Sequence, residues 1–461
     1  LNNIQMKLIL LSLSLFTVLT SYSQTTIMVG ATEVEVDTVY TGLDIPWEIV
    51  YSPDGFIWTT ERKGIISKID PVDKTKTVVL DLTSTVFQSS ESGLLGMTLH
   101  YDFENTPEVF LAYTYGTFST ISQRIVKYTY DGTMLTNPII LIDGIQGNTT
   151  HIGARFQFLA DNTLIVSTGD AQNTTLPQDL NSLSAKILRL NTDGTIPADN
   201  PIPGSYVYSF GLRNSQGIVR APNGIVYLSE HGASTDDEFQ ILEPNRNYGW
   251  PHVEGFCDLP GEQVFCLDND VLEPLAVWSP TIAPSDMIWY DNPQFPEFDG
   301  KILMAVLKDK MIVAIELSQD GTEYVSENHY LTNQFGRLRD ICEGADKDLY
   351  IATNGASWSN TNPNTHNIIR LRVKNTTGIN KEKLGSLKIY PNPVADYLTL
   401  EVPESLIGGV YYIHDISGRL ILQGAVVAGS QIINTEQLDK GIYELTVFFD
   451  KNSRLTSKLV K

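Results

Sequence analysis

Basic residues are scarce in this chain. Its 461 residues hold 32 Lys and Arg against 54 Asp and Glu, a formal net charge of −22. A phosphate backbone needs a basic face, so this balance argues against nucleic acid as a partner. Long apolar runs are scarce too. Met6-Lys7 precedes LILLSLSLFTVLT, a run of 13 residues, and then SYSQ with small Ser21 and Ser23. A bilayer span needs about 20 apolar residues. A charged start, a short apolar core and a small-residue cleavage site instead read as a secretory signal peptide over residues 1–23, with Gln24 as the mature N-terminus. No later segment is long and apolar enough to span, so the mature chain is expected to be exported, and either soluble or held at a surface by other means. Cysteine is limited to Cys257, Cys266 and Cys342. The first two share a Gly/Pro/Asp-rich loop, GFCDLPGEQVFCLDND. Export permits a disulfide there, the alternative being two unpaired thiols. Cys342 reads as a small buried hydrophobe. Long helical periodicity is missing as well, which leaves strands to build the 42% of hydrophobic residues into a core.

What is present is a recurring pattern from about residue 38 to 373. Turns such as SPDG, LADN, APNG and GADK precede short runs rich in Val, Ile, Tyr and Thr: FIWTTE, TLIVST, IVYLSE and DLYIAT. Repetition at about 50–60 residues predicts an all-β, six-bladed propeller over residues 24–373, with a pair of large sandwiches as the other architecture. VKNTTGINKEKLGS then reads as a linker, residues 374–386. The last stretch, residues 387–461, alternates as a small β-sandwich and holds no His/Cys/carboxylate cluster.

Three clusters in the propeller region carry chemistry. FGLRNSQG sets Arg213, Asn214 and Gln216 together, donors that suit a planar anionic ligand or, more simply, a polar turn. SEHGASTDDEF packs Asp236, Asp237 and Glu238 behind Gly232 and Ala233. Adjacent acids repel unless a cation or solvent relieves them, and Ca²⁺ takes carboxylate and carbonyl oxygens; a solvated acidic loop is the plainer reading. NRNYGWP contributes Tyr248 and a structural aromatic, Trp250. Downstream, AVLKDK holds Lys308, and FGRLRD holds Arg337 and Arg339 two apart, on one face of a strand. They call for an anion, either a ligand or a nearby acid such as Asp340. GNTTHIGARF places His151 behind Asn148-Thr149-Thr150, an N-x-[ST] glycosylation pattern.

These motifs, in this order, resemble the soluble quinoprotein glucose and aldose sugar dehydrogenases, six-bladed propellers that use pyrroloquinoline quinone (PQQ) and Ca²⁺. The resemblance covers about Val39 to Val373. It rests on GLDIPWEIVYSPDG, ESGLLGMTLHYDF, HIGARF, KILRLNTDGTIPADNP, YSFGLRNSQG, SEHGASTDDEFQIL, NYGWP, VLKDK and GRLRD. It implies an aldose dehydrogenase with an external electron acceptor and His151 as catalytic base, a task imidazole suits near neutral pH. Arg213 would act with it at the reacting quinone oxygen. Asn214, Lys308, Arg337, Arg339 and Glu91 would bind the cofactor. Gly232 and Ala233 would give carbonyls to the catalytic Ca²⁺, and Asp237, Glu238 and Tyr248 would form a second Ca²⁺ site. A non-catalytic binding propeller and a Ca²⁺-dependent lactonase are the alternatives.

The chain departs from the family's pattern. Thr150 stands where many members carry an acid beside the base, Glu91 where they carry Gln, and His231 and Ala233 where the glucose enzyme has Gln and Pro. The C-terminal part, through IYPNPVADYLTL, DISGRLIL and GIYELTV, resembles the type A sorting domain of the Bacteroidetes type IX secretion system. This implies passage through that machinery to the surface or beyond.

Overall fold

The computed structural model describes residues 25–356, 365–374, 387–402, 407–415, 419–448 and 454–461. The expected signal peptide and nearly all of the expected linker lie outside the described residues. The chain divides into two compact units, with the boundary between Lys374 and Asn375.

The first unit is a ring of six antiparallel sheets. Its strands, in chain order, are β1 (Thr25–Val29), β2 (Thr32–Thr41), β3 (Pro46–Tyr51), β4 (Ile57–Glu61), β5 (Ile65–Ile69), β6 (Lys76–Asp81), β7 (Leu94–Leu99), β8 (Glu108–Tyr115), β9 (Ser122–Tyr130) and β10 (Leu135–Gln146). There follow β11 (Gly153–Phe158), β12 (Leu164–Thr168), β13 (Lys186–Leu190), β14 (Val207–Phe210), β15 (Ser215–Arg220), β16 (Val226–Glu230), β17 (Asp237–Leu242) and β18 (Ala276–Trp278). The unit ends with β19 (Pro284–Tyr290), β20 (Lys301–Val306), β21 (Met311–Leu317), β22 (Tyr324–Tyr330), β23 (Leu338–Glu343), β24 (Leu349–Thr353) and β25 (Asn367–Val373). Five blades are consecutive four-strand meanders from β3 to β22. The sixth joins both ends of the unit. The N-terminal β2 pairs antiparallel with β25, from Val34 opposite Val373 to Thr41 opposite Asn367, and closes the ring without a covalent link.

Burial explains the strand sequences. β12 (LIVST), β13 (KILRL) and β16 (VYLSE) are buried at every position, because neighbouring blades cover both faces. A strand covered on both faces shows no polar alternation. The outermost strands do alternate or open to solvent, as in β22 (YVSENHY) and in β10, where Pro138 interrupts the ladder at an edge.

The inner strands β3, β7, β11, β15, β19 and β23 pack side by side around the axis, and β23 returns to β3. Their approach is close enough to demand glycine. A Cβ on Gly96 of β7 would lie 1.8 Å from the Ala154 carbonyl oxygen on β11, and one on Gly217 of β15 would lie 2.2 Å from that of Ser285 on β19.

One buried guanidinium ties this ring together. Arg155 on β11 reaches Glu48 on β3 (2.6 Å), Asp340 on β23 (3.1 Å), Asp286 on β19 (3.3 Å) and the Gln216 carbonyl on β15 (3.0 Å). Its plane lies over Trp47, 4.4 Å from the ring centre. Arg155 is therefore a structural pin. Burial raises the proton affinity of two of these carboxyls: Glu48 is pushed up to about 8 and Asp286 stands well above the usual carboxylate range. The folded chain then holds a Glu48 proton that the unfolded chain releases near 4.5. Between those values stability falls as pH rises, by up to about 1.4 kcal/mol per pH unit for a full proton. Melting temperatures from pH 5 to pH 8 should fall less steeply in Glu48→Gln than in the wild type; equal slopes would show that this carboxyl is already ionised in the fold.

The expected loop around Cys257 and Cys266 is in fact partly helical. α1 (Pro260–Asn269) carries Pro260 in its first turn, and the Glu262 carboxylate accepts from the Leu259 N–H at 3.1 Å. The Cys257–Cys266 disulfide is formed, with Cα atoms 6.5 Å apart. Cys342 on β23 is a free, half-buried cysteine whose thiol burial pushes up.

The second unit is a β-sandwich. Its strands are β26 (Lys388–Tyr390), β27 (Tyr397–Glu401), β28 (Val410–Asp415), β29 (Leu420–Ala425), β30 (Ser430–Asn434), β31 (Ile442–Phe448) and β32 (Arg454–Val460). Sheets β26-β27-β30 and β29-β28-β31-β32 enclose Leu398, Leu400, Ile413, Ile433, Leu445 and Leu459.

Candidate active site

His151 sits in the short connection between β10 and β11, with a backbone φ of +58°. That left-handed conformation costs an ordinary residue about 1–3 kcal/mol, so neighbours must hold it. The His151 N–H donates to Glu91 Oε2 at 3.0 Å, and its carbonyl accepts from the Ala171 N–H at 3.1 Å. Gly169 makes room, since a Cβ there would lie 2.0 Å from the His151 carbonyl oxygen. The side chain is oriented by a residue that motif reading missed. His151 Nδ1 lies 2.8 Å from Asp170 Oδ1, just beyond the end of β12. Asp170 is buried; Oδ1 also accepts from the Gln172 N–H (2.7 Å) and Oδ2 from Trp250 Nε1–H (2.9 Å). An ionised carboxylate only accepts, so Nδ1 carries the hydrogen and Nε2 presents a lone pair.

Thr150 does not take part: its hydroxyl is buried without a hydrogen-bond partner among the described residues. Trp250, expected to be a structural aromatic, instead fixes Asp170 and stacks 5.4 Å from the Arg213 guanidinium. Asn148 is not a free glycosylation amide, because its Nδ2 donates to the Ala171 carbonyl at 2.9 Å.

Arg213 faces the imidazole. Its Nη2 is 3.2 Å from His151 Nε2, and its Nη1 donates to the His231 carbonyl at 3.0 Å. Beneath it lies Glu230, another carboxylate that sequence reading passed over. Glu230 accepts from the backbone N–H groups of Arg213 and Asn214, from the Ser215 hydroxyl (3.2 Å) and from Gln240 Nε2 (3.0 Å). Burial pushes it up to about 7. Asn214 is buried with its Oδ1 taken by the Gly153 N–H and Gln216 Nε2, both at 3.1 Å.

Beside the imidazole loop opens a cavity. Trp47, Arg62, Glu91, Gln216, His231, Arg337, Arg339 and Asn354 are among the residues that line it. Arg339 donates to Gln216 Oε1 (2.9 Å) and Asn354 Oδ1 (3.2 Å), and burial with the nearby charge of Arg337 lowers it to about 9. Asp340 is no partner for this pair, since Arg155 and the Ile49 N–H occupy it. None of Arg62, Arg337 and Arg339 has a carboxylate within ion-pair distance among the described residues. Arg62, at the end of β4, is a further cation that sequence reading missed. Lys308 is corrected in the other sense. It is exposed, does not line the cavity, and its ammonium sits on Thr281 Oγ1 and carbonyl at 2.8 and 2.6 Å.

The acidic loop divides its labour. Asp237, expected to be a metal ligand, is a buried backbone clamp: Oδ1 accepts from the Gly232 N–H (2.8 Å), and Oδ2 from those of Ile282 (2.6 Å) and Ala283 (2.7 Å). Glu238 accepts from the Gly255 N–H at 2.8 Å and borders a small recess with Glu230, Asp236, Tyr248, Gly232 and Glu254. Burial first, and the Glu230 charge second, raise it well above the usual carboxylate range. Ala233 is exposed. Among the described residues no group of three or more His, Cys, Asp or Glu side chains is arranged to hold a metal ion.

Comparison with known proteins places these residues in a family. Residues 388–461 match the secretion-system C-terminal sorting domain, which directs a chain through type IX secretion to the cell surface or the extracellular space. An uncharacterised protein of Synechocystis is 31% identical over 349 residues, covering 70% of this chain and 84% of its own length. Aldose sugar dehydrogenase YliI of Escherichia coli is 27% identical, covering 70% and 91%. The structure of the PQQ-bound aldose sugar dehydrogenase of Streptomyces coelicolor aligns with a TM-score of 0.64 at 31% identity, covering 74% of this chain and 98% of that one. With residues 43–359 matching the Glucose / Sorbosone dehydrogenase family, the chain belongs to that family of oxidoreductases.

Proposed function

We propose that the chain is a PQQ-dependent aldose dehydrogenase, which oxidises the C1 hydroxyl of a cyclic sugar to the lactone and passes the electrons to an external acceptor. One observation carries the reading: an imidazole whose Nδ1–H is fixed by a buried carboxylate stands beside a cavity lined by three guanidiniums that have no carboxylate partner among the described residues. In a chain of net charge −22, half-buried cations without an ion pair among the described residues suit a planar polycarboxylate. PQQ is one, and when bound it supplies the acceptor for the C1 hydrogen and its electron pair.

The chain's own residues do the rest. His151 Nε2 takes the hydroxyl proton, and Asp170 offsets the positive charge this creates. Arg213 and Asn214 direct donors to oxygens that gain charge. Arg337 and Arg339 hold carboxylates. Glu238 and the carbonyls of Gly232, Ala233 and Tyr248 are the groups suited to Ca²⁺, whose charge would relieve the paired burial of Glu230 and Glu238. A lactonase needs acids converging on a central cation, and the axial acids here are taken by Arg155.

The test is reconstitution of the exported chain with PQQ and Ca²⁺, followed by dye reduction on a panel of aldoses. Reduction with at least one sugar, lost on chelation, is the expected result. No reduction with any sugar and no retained cofactor absorbance would overturn the reading.

A further inference from the structure

We propose that Arg62 is a third carboxylate-holding guanidinium of the cavity, and that Glu91 opposes it and limits how tightly the cavity holds a polycarboxylate. This rests on the functional reading above.

Arg62 lines the cavity with Arg337 and Arg339. One of its ends is fixed, since Nη1 donates to the Ser90 carbonyl, but its Nε is buried without an acceptor among the described residues. The acids nearest in charge do not pair with it: Asp44 lies 3.7 Å from Lys63, and Glu91 is engaged with the His151 N–H. Burial lowers the proton affinity of the guanidinium, as expected for a cation that awaits a counter-charge. A buried donor left unmade is costly, and an anion entering the cavity would satisfy it.

Glu91 is the one carboxylate among the described residues that line this cavity. Its Oε2 holds the base's backbone, while the Glu91 and Ser92 N–H groups both donate to the Thr149 carbonyl, at 2.9 and 3.1 Å. The Ser90–Glu91 turn therefore links Arg62 on one side to the His151 loop on the other. A polycarboxylate seated on three guanidiniums meets one resident negative charge, which weakens its hold.

Equilibrium titration of the full chain with PQQ in the presence of Ca²⁺, read by quenching of tryptophan fluorescence, separates the possibilities. Arg62→Gln should weaken binding tenfold or more with an unchanged melting temperature. Arg62→Lys should recover only part of it, because an ammonium cannot fork onto a carboxylate. Glu91→Gln should tighten binding several-fold. Should Arg62→Gln melt early, Arg62→Lys and Glu91→Gln carry the test. Wild-type binding that none of these variants changes overturns the proposal. A wild-type chain that takes up no PQQ overturns the functional reading instead, and this proposal falls with it.

Discussion

His151→Ala should take up cofactor like the wild type and lose aldose turnover by about 10²–10⁴-fold, the range that a positioned general base contributes. The imidazole does not line the guanidinium cavity, so cofactor affinity should hardly move. Asp170→Asn tests the same unit more sharply. The carboxylate accepts from Nδ1 and from Trp250 Nε1, which leaves Nε2 as the only basic nitrogen. An amide can donate to Nδ1 instead and so favour the other tautomer, a change that can cost up to about 10⁴ in turnover. Trp250→Phe should show a smaller loss in the same direction, since it removes one anchor of Asp170. The decisive measurements are steady-state dye reduction and cofactor titration on the same samples. Unchanged turnover in His151→Ala would remove it as the base; loss of cofactor together with turnover would move its role to binding.

Arg155→Met should be the most destabilising single change in the propeller. It leaves Glu48, Asp286 and Asp340 facing one another in the axis with no positive charge. Removing one partner of a buried ionic cluster costs about 3–5 kcal/mol, a large share of a total of roughly 5–15. The deficit depends on pH. Glu48 is already pushed up to about 8, so acid lets these carboxyls take up protons and shed their repulsion. The variant should melt far below the wild type at pH 8 and recover much of the gap at pH 5. Adding Glu48→Gln should recover part of it at pH 8 as well, because the two residues are coupled. Equal melting of wild type and Arg155→Met at pH 8 would refute the pin.

Legibility followed the range of the interactions. The blades were readable because each is a local meander, with turn residues between short β-rich runs, and a fixed repeat counts them. α1 was not readable. Its exposed face pattern shows no apolar stripe, and it is held by Pro260, Glu262 and a disulfide rather than by packing. His151, Arg213, Arg337 and Arg339 stood out by residue type and order. Asp170 did not, although it lies only 19 positions from His151, because a lone acid after a strand looks like any turn. Arg62 was not singled out, because it follows the strand run FIWTTE with no second signal beside it, and Trp250 read as a structural aromatic. Asp237 was misassigned because an acidic triplet says nothing about where each carboxylate points: the strand pairing of β17 turns Asp237 into the backbone and Glu238 into the recess.

The sequence by itself determined the all-β class, the six-fold repeat and the sorting domain, and it singled out His151, Arg213, Arg337 and Arg339, since local pattern and residue chemistry are written in order along the chain. Only the tertiary structure decided which charges meet. It brings Asp170, not Thr150, to the imidazole, gives the axial acids to Arg155, leaves Lys308 outside the cavity and admits Arg62. Those assignments depend on inner strands from different blades converging on one axis, where residues as far apart in sequence as Ile49 and Asp340, 291 positions, come within hydrogen-bond distance, and no local pattern encodes that convergence.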